Sequence, residues 1–382
     1  MKAFPDKLKH KLEQRQQANA LRQLGIQNGL VDFSSNDYLG FANSETLFNQ
    51  THAFLVTEGL MINGATGSRL LSGNHSLYPI VEDLLCDFHK SSSALVFNSG
   101  YDANLGFFSA IPQRGDVILY DEYSHASIRD GIGMSLAKSY KFKHNNLQHL
   151  KELIERFQDD NQDIYIVTES VFSMDGDTPD LKTLVKICNT HQAYLIIDEA
   201  HALGVFGTHG CGLVQELELE DAIFARIMTF GKGLGCHGAA ILGSHNLTQY
   251  LVNFARSFIY TTGLSPHALV TIKVGYETLN TTNALATLKS NIEHFQSELK
   301  RLDLEPQFIA SNSAIQSCVI SGNKRVKSIA LQLNNKGFDV KAILSPTVPK
   351  KQERLRFCLH AYNSKTEITN VLEGLRTFVS NE

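Results

Sequence analysis

Lys232 follows the apolar run IFARIMTF (residues 223–230) and is flanked by Gly231 and Gly233, with Gly235 and Gly238 close behind. The run reads as a buried strand, and the glycines remove side chains from around the amine. A lysine in such surroundings is partly dehydrated, which lowers its pKa and leaves a neutral amine able to add to an aldehyde. Taken alone, the stretch more often describes a surface lysine in a flexible loop. Three other groups follow apolar runs in the same way. DEAHALG at 198–204 offers Asp198, a carboxylate that can hold a protonated heterocyclic nitrogen, with His201 three residues on. Their plainer readings are a helix cap and a capping or core histidine. DEYSHAS at 121–127 supplies His125, whose imidazole can stack on a flat ring or serve structurally. NSGYDAN at 98–104 places Ser99, Gly100 and Tyr101 where a strand hands over to a helix. Free backbone N–H groups and the helix dipole can hold a phosphate there, although a tight turn reads the same way.

The elements that would position these groups follow one pattern. Apolar runs at 94–97, 117–120, 164–168, 194–197 and 223–230 alternate with helical segments, which predicts a mainly parallel sheet covered on both faces. Ligands of such sheets sit at the carboxyl ends of the strands. There the sequence places NSGYDAN, DEYSHAS, ESVFSMDGD (169–177), DEAHALG and GKG (231–233). Upstream, Phe4, Leu8, Leu12, Leu21 and Leu24 recur at helical spacing and predict an amphipathic N-terminal helix. A short strand over 30–34 leads into SSNDYLG (34–40), in which Asn36 and Tyr38 read first as turn and packing residues. The loop GATGSRLLSGNHS (64–76) is long enough to suggest function, and a helix follows it. Beyond about Pro266 the pattern gives a long helical stretch to Lys300, strands over 315–321, 338–344 and 354–360, and helices near 326–335 and 366–379. The expected organisation is an N-terminal helix and arm (1–40), a large domain (41–265) and a smaller C-terminal α/β domain (266–382).

Composition bounds the chemistry. The 382 residues are 43% hydrophobic and 19% charged, enough to bury a large core. A net charge of -4 gives no global attraction to nucleic acid or anionic lipid, and neither is expected as a partner. The polar N-terminus lacks a secretory signal, and no run approaches the ~18 apolar residues of a membrane span, so a cytoplasmic protein is expected. Cys86, Cys188, Cys211, Cys236, Cys318 and Cys358 are scattered, with no C-x-x-C pair. Reduced thiols and no metal centre follow. Residues 198–201 also spell the DEAH box of ATPases, but that reading needs an upstream G-x-x-x-x-G-K-[ST] loop, which is absent. G-x-S-x-G, the mark of a serine nucleophile, is absent too.

SSNDYLG, GSRLLSGNHSLY, SHAS, TESVFSMDGD, DEAH, TFGKG, SPTVP and RLRFCL occur in this order along nearly the whole chain. The sequence thereby resembles the α-oxoamine synthases of the type I pyridoxal phosphate (PLP) enzymes. The resemblance implies an α/β fold of the aspartate aminotransferase type, with a large domain on a mainly parallel seven-stranded sheet and a smaller C-terminal α/β domain. It also implies a homodimer with active sites at the interface. SSNDYLG, VFSMDGD, FARSFIYTT, SAIQ and PTVP are most similar to the biotin-pathway branch. That branch implies decarboxylative condensation of L-alanine with a pimeloyl thioester, carried on coenzyme A or acyl carrier protein. Sibling pairings of amino acid and acyl thioester remain open.

By the same resemblance, Lys232 would carry the cofactor as a Schiff base, Asp198 would pair with its ring nitrogen and His201 would hydrogen-bond its phenolic oxygen. His125 would stack on the ring, facing substrate as well, and would join Lys232 and Asp198 in catalysis. Gly100, Tyr101, Ser173 and Thr229 would contact the cofactor or its phosphate, and Thr261 and Thr262 would reach a neighbouring subunit's phosphate. Arg356 would bind the amino acid carboxylate through its planar fork, while Arg22, Asn36 and Thr347 would line the substrate side. Two positions depart from the family pattern: Cys211 stands where relatives usually have arginine, and Ala202 where small polar residues are common.

Overall fold

The computed structural model describes residues 4–22, 24–25, 29–157 and 162–380. The outermost residues of the expected arm and C-terminal domain, 1–3 and 381–382, lie outside these. The chain forms two compact units: the first takes residues up to Ser35, 174–176 and Leu288 onward, and the second takes 36–173 and 177–287.

Strands are numbered along the chain, beginning with β1 (Val31–Asp32) in the first unit. The second unit holds β2 (Ser93–Phe97), β3 (Val117–Asp121), β4 (Lys138–Phe142), β5 (Ile164–Glu169), β6 (Tyr194–Asp198), β7 (Ala225–Thr229) and β8 (Ala239–Gly243). They form one seven-stranded sheet in the order β2-β8-β7-β6-β5-β3-β4. Only β8 runs antiparallel to its neighbours, so the mainly parallel sheet expected from the alternating runs is present. Its faces follow the two-residue period of a strand. Ile118, Tyr165, Val167 and Ile196 enter one core with Phe107 and Phe108 of the helix Gly100–Ala110. Val117, Leu119, Ile166, Leu195 and Ile197 enter the other with Leu184 and Ile187 of the helix Leu181–Thr190. Each such side chain contributes roughly 1.5–3 kcal/mol by its burial.

The apolar runs omitted β4 and β8. The sequence of β4, KSYKF, carries two lysines and is mostly exposed, as befits an edge strand whose charges discourage further pairing. β8 supplies the link that matters for the site. Its first residue, Ala239, pairs with Phe97 of β2 on one side and Thr229 of β7 on the other. The carboxyl ends of β2 and β7 therefore lie on one edge. β5 and β6 end on that same edge, with Glu169 directly beside Asp198.

In the first unit β1 pairs in parallel with β10 (Phe338–Asp339), while β9 (Ile315–Val319), β11 (Lys341–Ile343) and β12 (Arg354–Cys358) form an antiparallel sheet in the order β11-β12-β9. The single strand expected over 338–344 is thus two. Its ends join different sheets across the buried Val340. The helical stretch expected through Lys300 is likewise two helices, Pro266–Leu279 and Ala284–Arg301. They part at NTTN, where Thr282 Oγ1 accepts the Ala284 N–H and starts the second helix. The N-terminal helix covers only Asp6–Gln17 and excludes Leu21 and Leu24. It ends where Asn19 adopts a left-handed φ of 51° and Ala20 N–H closes onto the Arg15 carbonyl. Its apolar positions Leu8 and Leu12, and Phe4 just before it, stay exposed. Among the described residues no helix is long and apolar enough to cross a membrane.

Candidate active site

The Lys232 amine lies 2.8 Å from His201 Nε2, and the opposite ring nitrogen, Nδ1, lies 2.7 Å from the hydroxyl of the fully buried Tyr38. That hydroxyl also reaches Asn36 Oδ1 at 3.3 Å. Three separate segments thus converge on one line of polar groups. The glycines beside Lys232 explain how. A Cβ on Gly233 would strike the Leu203 carbonyl and crowd Gly204, and one on Gly235 would strike the backbone at Ala42. Glycine lets the lysine loop lie directly on the turn after His201 and on the segment after SSNDYLG, which is a packing requirement more than a means of baring the amine.

A second line starts at Asp198, 5% exposed at the end of β6. Its Oδ1 accepts the Ala200 N–H at 2.9 Å, and its Oδ2 accepts Nδ2 of the buried Asn104 at 2.9 Å. The same Nδ2 donates to Ser127 Oγ at 3.0 Å, and that hydroxyl meets His125 Nδ1 at 2.7 Å. Asn104 lies on the helix Gly100–Ala110, and Ser127 in the first turn of the helix Ala126–Met134, for which His125 is the N-cap. The helices therefore fix both the carboxylate and the imidazole. His125 is open to solvent on one side, yet packing around its ring and then the charge of Lys232 hold its pKa below the ordinary histidine value.

Glu169 underlies this arrangement. It is 3% exposed, and its Oε1 accepts the His125 backbone N–H at 2.6 Å. Burial, followed by the neighbouring Asp198 carboxylate, pushes its pKa up to about 8. His144 braces the loop that carries Ser173. Its ring bonds Asp121 Oδ1 at 2.9 Å and Asp177 Oδ2 at 2.8 Å, while Asp177 O accepts the Phe172 N–H. The second acid of DEAH is occupied structurally: Glu199 is buried against Arg226, Nη2 to Oε2 2.7 Å, and also accepts the Val214 N–H.

Gly100 opens its helix behind the N-cap Ser99, whose Oγ accepts the Asp102 N–H. A methyl at Gly100 would run into the side chain of Thr229, the last residue of β7. The two residues flank the same helix N-terminus. Tyr101 is exposed and donates its hydroxyl to Asp130, a bond that raises the phenol pKa. Ser173 is half-buried. Asn98, just before that N-terminus, donates to Thr261 Oγ1 and to the Thr262 carbonyl of its own chain. The remaining expected residues belong to the first unit. Arg356 is 8% exposed in the middle of β12, opposite Lys341 and Ser317. Arg22 and Thr347 line one cavity of about 520 Å³.

A profile of the aminotransferase class I and II family matches residues 28–375. The chain belongs to that family. It is 38% identical over 401 residues to an 8-amino-7-oxononanoate synthase of Emericella nidulans, covering 99% of this chain and 96% of that protein. The 8-amino-7-oxononanoate synthase structure from Francisella tularensis is 29% identical with a TM-score of 0.79, over 93% of this chain and 99% of that one. A serine palmitoyltransferase from S. paucimobilis with a bound PLP–myriocin aldimine is 25% identical with a TM-score of 0.88, over 98% and 97%. The fold expected from the motifs, that of the type I PLP transferases, is borne out.

In this class I and II family member the two departures are accommodated locally. Ala202 is fully buried in the core beneath β6, and the Cys211 carbonyl accepts a bond from Arg226. Sequence reasoning missed Asn104, Ser127, Glu169 and His144 as supports and read Tyr38 as packing. Asn104 had one available signal: it lies one helical turn after Gly100, on the same helix face.

Proposed function

We propose that the chain is a PLP-dependent acyltransferase that condenses L-alanine with a pimeloyl thioester, with loss of carbon dioxide, to give 8-amino-7-oxononanoate. The observation that carries this reading is the Lys232 amine held 2.8 Å from His201, on the strand-end edge that also bears Asp198, in a chain similar over its whole length to a synthase of that name.

The donor set fits PLP. An amine, a buried carboxylate already held by two donors, an imidazole and the N-terminus of an eleven-residue helix match an aldehyde, a ring nitrogen, a phenolic oxygen and a phosphate in turn. Lys232 is the covalent anchor, Asp198 the ring-nitrogen partner and His201 the phenolic-oxygen partner. Gly100, Tyr101, Ser173, Thr229 and Thr262 serve the phosphate end, and Asn36, Arg22, Thr347 and Arg356 serve the substrates. When bound, PLP supplies an electron sink that acidifies the amino acid Cα–H. With the cofactor bound, the Lys232 amine would serve as the base for the amino acid Cα proton and as the acid that returns a proton to the product carbon. His201 Nε2 orients that amine, and Tyr38 orients His201. His125, positioned together with Asp198 through Ser127 and Asn104, would cover the cofactor ring and limit the access of water to the site.

Exposed apolar residues support a homodimer, notably Met61, Ile62 and Leu71 in the segment around the long loop, together with Phe4, Leu8 and Leu12. We place the enzyme in the cytoplasm. The likeness to serine palmitoyltransferase favours one second reading, a sibling condensation with another amino acid and a long acyl thioester. Competition assays with equal concentrations of pimeloyl, acetyl and palmitoyl thioesters, each with alanine, glycine and serine, decide between them by product mass. Alanine with pimeloyl thioester is expected to win. A palmitoyl product winning would move the chain to the sibling activity.

A further inference from the structure

The turn after β5 is shared between the two units. Residues 174–176 belong to the first unit, although their chain neighbours Ser173 and Asp177 belong to the second. The base of the turn is closed within the second unit, where the Phe172 N–H donates to the Asp177 carbonyl at 3.0 Å. Its tip is held residue by residue in the first. Ser317 Oγ donates to the Met174 carbonyl at 2.6 Å, the Asp175 carboxylate pairs with the Arg354 guanidinium, and Ser311 Oγ donates to the Gly176 carbonyl at 2.8 Å. Gly176 has a φ of 76°, and a Cβ there would run into the Ile315 carbonyl, so the tip lies directly on β9. The ion pair is deeply buried: Arg354 is 2% exposed and Asp175 5%. Two charges stripped of water stabilise a fold little beyond what apolar side chains of similar volume would, but they fix geometry. Their place on the sheet gives that geometry a use. Arg354 stands two residues before Arg356 on β12, so the two share a face of the strand, and Ser317 is the register partner of Arg356. The turn that carries Ser173 is thus anchored on the strand that carries Arg356.

We propose that Arg354 is a positioning residue whose pair with Asp175 links the Ser173 turn to the Arg356 strand, so that a carboxylate bound at Arg356 tightens the hold of Ser173 on the cofactor. The proposal rests on the PLP reading, in which Ser173 serves the phosphate end and Arg356 the amino acid carboxylate, and adds how the two are joined. Arg354 acts through Asp175 and the peptide from Met174 to Ser173, not on the reacting atoms. The link is reciprocal: a carboxylate that tightens PLP is itself bound more tightly once PLP is present.

Propionate tests the link, because it has the carboxylate and methyl end of alanine but no amine to react with PLP. Absorbance titration of the wild-type apoprotein should give a Kd for PLP that falls about fivefold in saturating propionate. In Arg354→Met/Asp175→Leu propionate should leave that Kd unchanged. This double variant replaces both buried charges with apolar side chains and so keeps the fold. Ser317→Ala removes one bond to the turn and no charge, and should lose part of the propionate effect. Hydrogen exchange of the backbone amides of residues 172–176 reads the same link without PLP: propionate should slow it in the wild type and not in the double variant. A folded double variant that keeps the propionate effect on both readouts would overturn the proposal, as would a wild type in which propionate alters neither. If the double variant does not fold, Ser317→Ala decides, and an undiminished propionate effect there overturns the proposal. A wild type whose exchange responds to propionate but which binds no PLP would instead overturn the PLP reading and leave the link standing.

Discussion

Asn104 Nδ2 stands 2.9 Å from Asp198 Oδ2, with both residues at most 5% exposed. The same amide reaches Ser127 and through it His125, so one side chain positions the carboxylate and the imidazole together. Asn104→Ala should cost about 1–3 kcal/mol of interaction with the carboxylate, a drop of roughly 5- to 160-fold in kcat. PLP should bind the apoprotein more weakly, seen by absorbance titration. Asn104→Asp should be worse, because it sets a second carboxylate against Asp198. Wild-type affinity and turnover in both variants would show that Asn104 does not position Asp198.

Tyr38→Phe removes the hydroxyl that meets His201 Nδ1 at 2.7 Å while keeping the ring packed. The hydrogen bond at one ring nitrogen biases which tautomer the other presents. Turnover should fall about tenfold with little loss of thermal stability, and the pH at which bound cofactor changes absorbance should move. An unchanged titration midpoint would leave Tyr38 a packing residue.

Gly100→Ala places a methyl against the Thr229 side chain. The collision should weaken PLP binding through about 1–3 kcal/mol of overpacking. In Gly100→Ala/Thr229→Ala the closest colliding atoms are gone, leaving Thr229 Cβ at an ordinary 3.4 Å. The double variant should bind better than Gly100→Ala alone. Strictly additive losses in the double-mutant cycle would contradict the close-approach explanation.

His144 predicts a pH dependence of stability. Burial alone would depress its pKa, but hydrogen bonds and charge attraction from Asp121 and Asp177 outweigh burial and raise it to about 9. A histidine whose folded pKa exceeds the unfolded value, about 6.5, stabilises fully below that value and loses the contribution as pH rises through the folded pKa. After allowance for solvent screening the contribution is roughly 1–2 kcal/mol. Urea unfolding should therefore show a wild-type decline from about pH 6.5 to about 9 that His144→Gln lacks. Parallel profiles in the two proteins would refute the assignment.

The parts of the site legible in the sequence were those that end a strand. Asp198, Lys232 and His125 each follow an apolar run, and the alternation of runs with helices already places such residues on one edge. Long-range partners left no comparable trace. Asn104 meets a residue 94 positions away, and Tyr38 meets His201 across 163. A single asparagine or tyrosine inside a motif does not announce which distant atom it faces. The missed strands have local causes. KSYKF is too polar to read as a strand because it is an edge, and β10 and β11 differ only in which neighbour they pair with, which depends on tertiary packing.

The central claim is that this chain joins an amino acid to an acyl thioester with loss of the amino acid carboxyl group, using Lys232. Incubation with alanine labelled with carbon-13 at the carboxyl carbon and a pimeloyl thioester measures this directly by mass spectrometry of gas and product. The expected result is one labelled carbon dioxide released for each 8-amino-7-oxononanoate formed, with both lost in Lys232→Ala. Label retained in the product, or undiminished release from Lys232→Ala, would contradict the account.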